Sequence, residues 1–254
     1  MGFHHLDQYA HSAGPLTRTP PAARVLATVL LAVGAALLPL GAWLQMVVLG
    51  GLVLALARIG HVPLATLLAR SAPPLLLLAL ASAAVLVLAP GQVIARVGPL
   101  AVTDAGLERV GSALGRGTPA ILAGVLLIST TRFPDLVEGL RELRLPLVVT
   151  AALGLAYRFL YLLADELTQL QRAAASRNAR AGAVPRRRLL AGITASALVR
   201  SLARSERVHR AMLARGFTGE LLSLHRQPLD REAWRNLGIL GVLVALVVLS
   251  ARVG

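Results

Sequence analysis

The chain has 254 residues, of which 56% are hydrophobic and only 15% charged, with a mean hydropathy of +0.69. Ordinary soluble domains run at roughly 45–50% apolar and about 25% charged, so a polytopic membrane protein is the class that fits. The formal charge of +14 comes entirely from arginine, and with neither cysteine nor lysine in the chain, disulfides, thiolate metal sites, cysteine nucleophiles and a phosphate-loop lysine for ATP hydrolysis are all excluded.

Residues 1–21 are polar and carry Asp7, His4, His5 and His11. They lack the basic start and apolar stretch of a cleaved signal peptide, so the first apolar segment is expected to stay as an anchor. The three histidines lie in a tail with no fixed neighbours, which makes a poor metal site. A spanning helix takes about 20 mostly apolar residues. Ala22 to Leu38 is a lean first span and Gly41 to Ala57 a second. The uncharged turn between them makes a helical hairpin. Leu64 to Ala89 is a third, with Pro73-Pro74 expected to interrupt it and leave its first part as a kinked approach. Gln92 to Gly117 reads as a mildly polar connection with a helical stretch near Leu107. The apolar run Pro119 to Thr131 can span only if its helix begins around Asp104 to Leu107. Leu237 to Leu249, widened by Trp234 and Ala251, is the last span, with Trp at the boundary where aromatic residues gather.

Most of the arginines fall between Arg132 and Arg235. Arg132-Phe133-Pro134-Asp135 opens a short polar helix through Arg144. Pro146 suits a first helical turn and starts a long helix through Tyr157-Arg158 and Asp165-Glu166 to about Arg177. Its first half, Leu147 to Leu163, is apolar. Arg158 lies inside that half, and a charge at the bilayer centre costs a few kcal/mol or more, so the helix is expected to start in or along the membrane and project into the cytoplasm rather than span. Gly182 to Pro185 breaks it. A second long helix runs from about Arg188 to Arg215. Leu190, Ile193, Ala197, Leu198, Leu202 and Val208 give it a narrow apolar stripe, which implies burial against a neighbouring helix.

The expected fold is all-α. Residues 1–21 form a cytoplasmic N-terminal segment, residues 22–131 four transmembrane helices, residues 132–233 an inserted cytoplasmic domain of long amphipathic helices, and residues 234–254 a fifth span. The positive-inside rule agrees. Arg18, Arg24, Arg58, Arg70 and the whole basic insert fall on the cytoplasmic side, and the uncharged turn at Leu38–Gly41 falls outside.

Within the insert, Arg177 and Arg215 fall at helix C-termini, where the macrodipole favours a cation by about 0.3–1 kcal/mol. Gly216 can take the left-handed conformation that ends a helix. Each arginine is then either a simple cap or a forked donor reaching into an acidic groove on a partner. Arg158, Asp165 and Glu166 read as structural ion-pairing residues. Adjacent carboxylates on a helix point in different directions, which argues against a catalytic pair. No nucleic-acid-binding signature is present, and basic surface beside a membrane suits anionic lipid or an acidic protein face.

The run Thr130-Thr131-Arg132-Phe133-Pro134-Asp135-Leu136 followed by Leu143-Arg144-Leu145-Pro146, together with Tyr157-Arg158-Phe159, Asp165-Glu166 and Arg204 to Phe217, resembles the transmembrane T component of energy-coupling factor transporters, in its cobalt-type CbiQ form. The resemblance covers nearly the whole chain and is most specific from Thr130 to Gly219. It implies two long cytoplasmic helices whose Ala-Arg-Gly-like ends dock on two ATPase subunits. Ala214-Arg215-Gly216 matches that motif directly. Ala175-Ser176-Arg177 keeps the Arg and departs at its neighbours, and Arg180 competes for the first contact. Glu206 and Arg207 join Arg158, Asp165 and Glu166 as structural residues of the coupling domain.

The resemblance further implies a non-catalytic subunit of the bacterial inner membrane with no cofactor or metal of its own, ATP and Mg being held by a CbiO-like ATPase dimer. It implies a CbiM-like substrate-binding membrane subunit and a small CbiN-like accessory one, with cobalt or nickel as the transported ion. A conventional ABC permease subunit, a self-contained carrier and a lipid-bound scaffold are the competing classes. The near absence of ionisable residues in the early spans counts against a carrier, which needs a polar cavity at midplane.

Overall fold

The computed structural model describes residues 19–88, 93–97, 100–181, 186–219 and 229–253, with the backbone alone described at 87–88, 93–97, 100–102, 177–181, 186–187, 189 and 253. The described elements are α1 (Pro21–Leu37), α2 (Trp43–Ile59), α3 (Leu64–Leu88), β1 (Val93–Val97), β2 (Leu100–Thr103), α4 (Asp104–Thr130), α5 (Phe133–Glu142), α6 (Leu147–Ala181), α7 (Arg186–Ala214) and α8 (Arg231–Val253). The architecture is all-α, as the composition and periodicity require, with one small addition. Val93–Val97 and Leu100–Thr103 pair as an antiparallel hairpin within the stretch expected to be a plain connection. The β-branched run in Val93-Ile94-Ala95-Arg96-Val97 is the local signal for it.

The chain divides into two compact units. One holds α1 to α5, the hairpin and α8; the other holds α6 and α7. The first unit is a helical bundle. Leu31 and Ala35 of α1, Leu49, Val53 and Ala57 of α2, Leu122 and Leu126 of α4, and Leu240 and Val244 of α8 form its buried centre. Its outside is as apolar as its inside: Val47, Leu77, Leu80 and Ile128 are each 69–72% exposed. In water such a surface would drive aggregation; in a bilayer it is the face that lipid covers.

Small residues let the helices approach. A Cβ on Gly34 of α1 would sit 2.3 Å from Val244 Cγ1 of α8. One on Gly139 of α5 would sit 2.8 Å from the backbone nitrogen of Ala22. α5, which the sequence assigns to the inserted segment, therefore packs within the bundle unit against the start of α1.

Four helices have stretches long and apolar enough to cross a membrane: Leu64–Leu86, Asp104–Thr130, Leu147–Ser176 and Arg231–Arg252. The helices Pro21–Leu37 and Trp43–Ile59 are shorter, at 17 residues each, or about 25 Å at 1.5 Å per residue. α4 begins at Asp104, where the Thr103 hydroxyl caps it by accepting from the Gly106 N–H at 3.1 Å. It thereby gains the length that the run from Pro119 lacked. The expected break at Pro73-Pro74 does not occur: α3 runs unbroken from Leu64 to Leu88. Two prolines forfeit two backbone hydrogen bonds. The carbonyls so freed are those of Ala69 and Arg70, one turn before each proline, and a membrane helix tolerates such a loss where neighbouring groups re-satisfy the backbone.

Candidate partner-docking site

The start of the quoted motif is pinned inside the bundle unit. The Arg24 guanidinium donates to Thr130 O at 2.8 Å and to Thr131 Oγ1 at 3.2 Å. It also donates to Thr19 O at 2.7 Å. Arg70 reaches Ser129 Oγ at 3.0 Å. Two arginines far upstream thus fix the end of α4 where Thr131 caps it and Arg132 begins α5. Pro134 and Asp135 occupy the first turn of α5, where a fixed φ and a negative charge both favour helix. α5 ends at Glu142, and the chain passes Arg144 in the left-handed region, φ 64°.

The second unit is a pair of long helices. Ile193 is buried and Ala197, Ser201, Arg204, Val208 and Met212 are half-buried along α7. Leu190, Leu198 and Leu202, placed by the sequence in the buried stripe, are 48–60% exposed. The observed stripe steps by 3 and 4 residues throughout, the spacing of one helix face. Arg204 and Ser201 belong to it because a carboxylate opposite pairs with the arginine: Arg204 Nη2 lies 2.7 Å from Glu166 Oε2 of α6, and Arg200 Nη1 lies 3.8 Å from Oε1. The Glu166 side chain is only 12% exposed, so this pair is shielded and ties α6 to α7. Tyr157 and Tyr161, one turn apart, stack edge to face at 5.3 Å and share a hydroxyl contact at 3.0 Å.

Of the predicted structural residues, Glu166 is used between helices, but not with Arg158. Arg158 and Asp165 are exposed and make no ion pair among the described residues. Glu206 pairs along its own helix with Arg210 at 3.4 Å, while Arg207 stands exposed.

The end of α7 is built as a double-bonded cap. Phe217 N–H donates to Met212 O and Gly216 N–H to Leu213 O, both at 3.0 Å, with Gly216 at φ 80°. These are the two bonds of a Schellman motif, and Arg215 is the residue it places at the helix end. Ala214, Arg215 and Gly216 are all exposed. Arg215 makes no side-chain hydrogen bond or ion pair among the described residues.

On α6, Ala175 and Ser176 are exposed, and the Ser176 hydroxyl donates back to Ala173 O at 3.0 Å. The helix does not stop at Arg177. It continues to Ala181, because Ala179, Arg180 and Ala181 are good helix formers. Arg180 is therefore the arginine in the last turn. The side chains of both Arg177 and Arg180 lie outside the described residues, as do His4, His5 and His11. Among the described residues no group of three or more His, Asp or Glu side chains gathers as a metal site.

Residues 13–225 match the family model of the CbiQ cobalt transport protein. The chain belongs to the CbiQ family. It is similar to the cobalt transport protein CbiQ of Rhodobacter capsulatus, 30% identical over 52% of this chain and 55% of that one. That match therefore spans about half of the relative's length. It is also similar to the energy-coupling factor transporter transmembrane protein EcfT of Heliobacterium modesticaldum, 28% identical over 84% of each. Family and bundle agree on a multi-pass membrane protein of the energy-coupling T-component class. The family match covers α1 to α5, the α6–α7 pair and the capped end of α7, and stops before α8.

The signals missed by sequence reasoning are inter-helical. Arg24 with Thr130, Arg70 with Ser129 and Arg204 with Glu166 each join helices whose mutual register no local pattern encodes.

Proposed function

We propose that this CbiQ-family chain is the energy-coupling membrane subunit of an ABC importer for cobalt or nickel, docking a pair of ATPase subunits through the arginine-bearing ends of α6 and α7. The observation that carries this reading is the cap of α7, which sets Arg215 at the helix end, exposed and with no side-chain partner among the described residues. A forked guanidinium so placed suits an acidic groove. The chain itself is non-catalytic in this account. ATP and Mg bind to the partner, and closure of the ATPase pair moves the two docked ends.

At 1.5 Å per residue, α6 with its 35 residues and α7 with its 29 are levers of about 52 and 43 Å. The Glu166–Arg204 pair couples them, so that a displacement at one tip is shared. The levers convey the movement to a separate substrate-binding membrane subunit, which changes orientation and releases its ion. The N-terminus and the α6–α7 unit are cytoplasmic in this reading, and the charge bias of the loops supports that side. Cobalt uptake by cells expressing the complete transporter tests the proposal. Arg215→Glu combined with Arg177→Glu should reduce uptake at least tenfold at unchanged membrane levels of this chain. Undiminished uptake by the double variant would rule out docking through these ends.

A further inference from the structure

A second arginine feature lies in the bundle unit and plays no part in docking. Arg116 sits 12 residues into α4, a helix apolar enough to span. Its Nε is buried and has no hydrogen-bond partner. Neither Arg116 nor Arg109 makes an ion pair or a side-chain hydrogen bond among the described residues. A cation in a membrane helix is costly unless it meets an anion or reaches the headgroup layer.

Its depth and direction can be read from its neighbours. Gly41, in the turn between α1 and α2, donates its N–H to Ser112 Oγ at 3.3 Å. The Trp43 ring packs on Gly111, where a Cβ would lie 2.3 Å from it. Trp43 is 49% exposed at the start of α2, the position of an interfacial aromatic. Arg116 is one turn deeper than Ser112, about 6 Å at 1.5 Å per residue. Helix side chains lean toward the N-terminus of their helix, which for α4 is this same end of the bundle, so the guanidinium leans back toward the headgroup layer.

Gly115 faces Met46 of α2 and Gly117 faces Leu78 of α3. Arg116 lies about 100° of helix turn from each of them. Arg109, exposed and two turns nearer the end, lies on nearly the same line of α4, since seven residues bring a helix almost full circle. The apolar sides of Val47 and Leu44 on α2 and Leu77 and Leu80 on α3 are exposed, ready for acyl chains.

We infer that Arg116, with Arg109, binds the phosphate of an anionic phospholipid at the turn end of the bundle. The full chain carries two tryptophans, Trp43 and Trp234. In a Trp234→Phe background, quenching by brominated lipid therefore reports on Trp43 beside the site. In vesicles of mixed phosphatidylglycerol and phosphatidylcholine, with one or the other brominated, the expected result is about fivefold preferential quenching by phosphatidylglycerol. That corresponds to ~1 kcal/mol for one cation near a membrane surface.

Arg116→Gln should abolish the preference and Arg116→Lys should keep most of it. Arg252→Gln, which removes a cation from the last turn of α8, should leave it intact, as should excess inorganic phosphate. Equal quenching by both lipids would overturn the inference and leave Arg116 to a carboxylate on a partner helix. A loss as large with Arg252→Gln as with Arg116→Gln would overturn it in favour of diffuse surface charge, and displacement by inorganic phosphate would overturn the lipid assignment. None of these outcomes depends on ATPase docking.

Discussion

Gly216 and Arg144 both hold positive φ, at 80° and 64°, and the two positions make opposite predictions. Nothing lies within 4 Å of a Cβ built on Gly216, so replacing it costs only backbone strain, about 1–2 kcal/mol for an L residue in the left-handed region. Gly216→Val should therefore loosen the cap and speed trypsin cleavage after Arg215 about tenfold, while the melting of the rest of the chain is unchanged. Arg144 already bears that strain, so Arg144→Gly should raise the thermal stability of the detergent-solubilised protein by about 1 kcal/mol. Gly139 is constrained by space instead. A Cβ there meets the backbone of Ala22 at 2.8 Å, and backbone cannot swing aside as a side chain can. Gly139→Ala should destabilise by about 1–3 kcal/mol, the range for overpacking, and lower the melting temperature. The left-handed Gly216 was legible in the sequence, as the glycine just past a helix end. Gly139 was not, because nothing in its own helix says that another backbone lies against it.

At the scale of helices, the sequence placed the ends of most elements within a few residues and failed where neighbours decide. The 3.6-residue pattern and the Gly182–Pro185 break were enough for two long helices after Pro146. The continuity of α3 through Pro73-Pro74 depends on how the freed carbonyls are satisfied, which local rules do not see. The buried face of α7 differs from its predicted stripe for a similar reason: Leu198 and Leu202 are more apolar than Arg204, yet Arg204 faces α6 because Glu166 is there. That pair can be weighed directly. It is more shielded than a surface bridge, worth about 0–1 kcal/mol, and less buried than one whose rupture costs 3–5 kcal/mol. A double-mutant cycle with Glu166→Gln and Arg204→Gln should give a coupling of about 1–2 kcal/mol in thermal unfolding. Glu206→Gln, which breaks only an exposed pair within α7, should have little effect.

For the whole molecule, the account rests on which elements cross the membrane and on what the arginine ends touch. α6 has an apolar stretch long enough to span, yet Arg158 lies inside it, so topology needs its own test. The chain has no cysteine, and single cysteines can be placed freely. An impermeant maleimide should label Leu40→Cys, in the turn between α1 and α2, on intact spheroplasts, and Ser205→Cys, on α7, only after lysis. Labelling of Ser205→Cys on intact spheroplasts would make α6 a span. Docking is tested most directly by the affinity of the partner ATPase for membranes carrying this chain. Arg215→Lys should weaken binding modestly, since the charge remains and the fork is lost. Arg215→Glu should weaken it by at least tenfold, and equal binding by the wild-type and Arg215→Glu proteins would contradict the account.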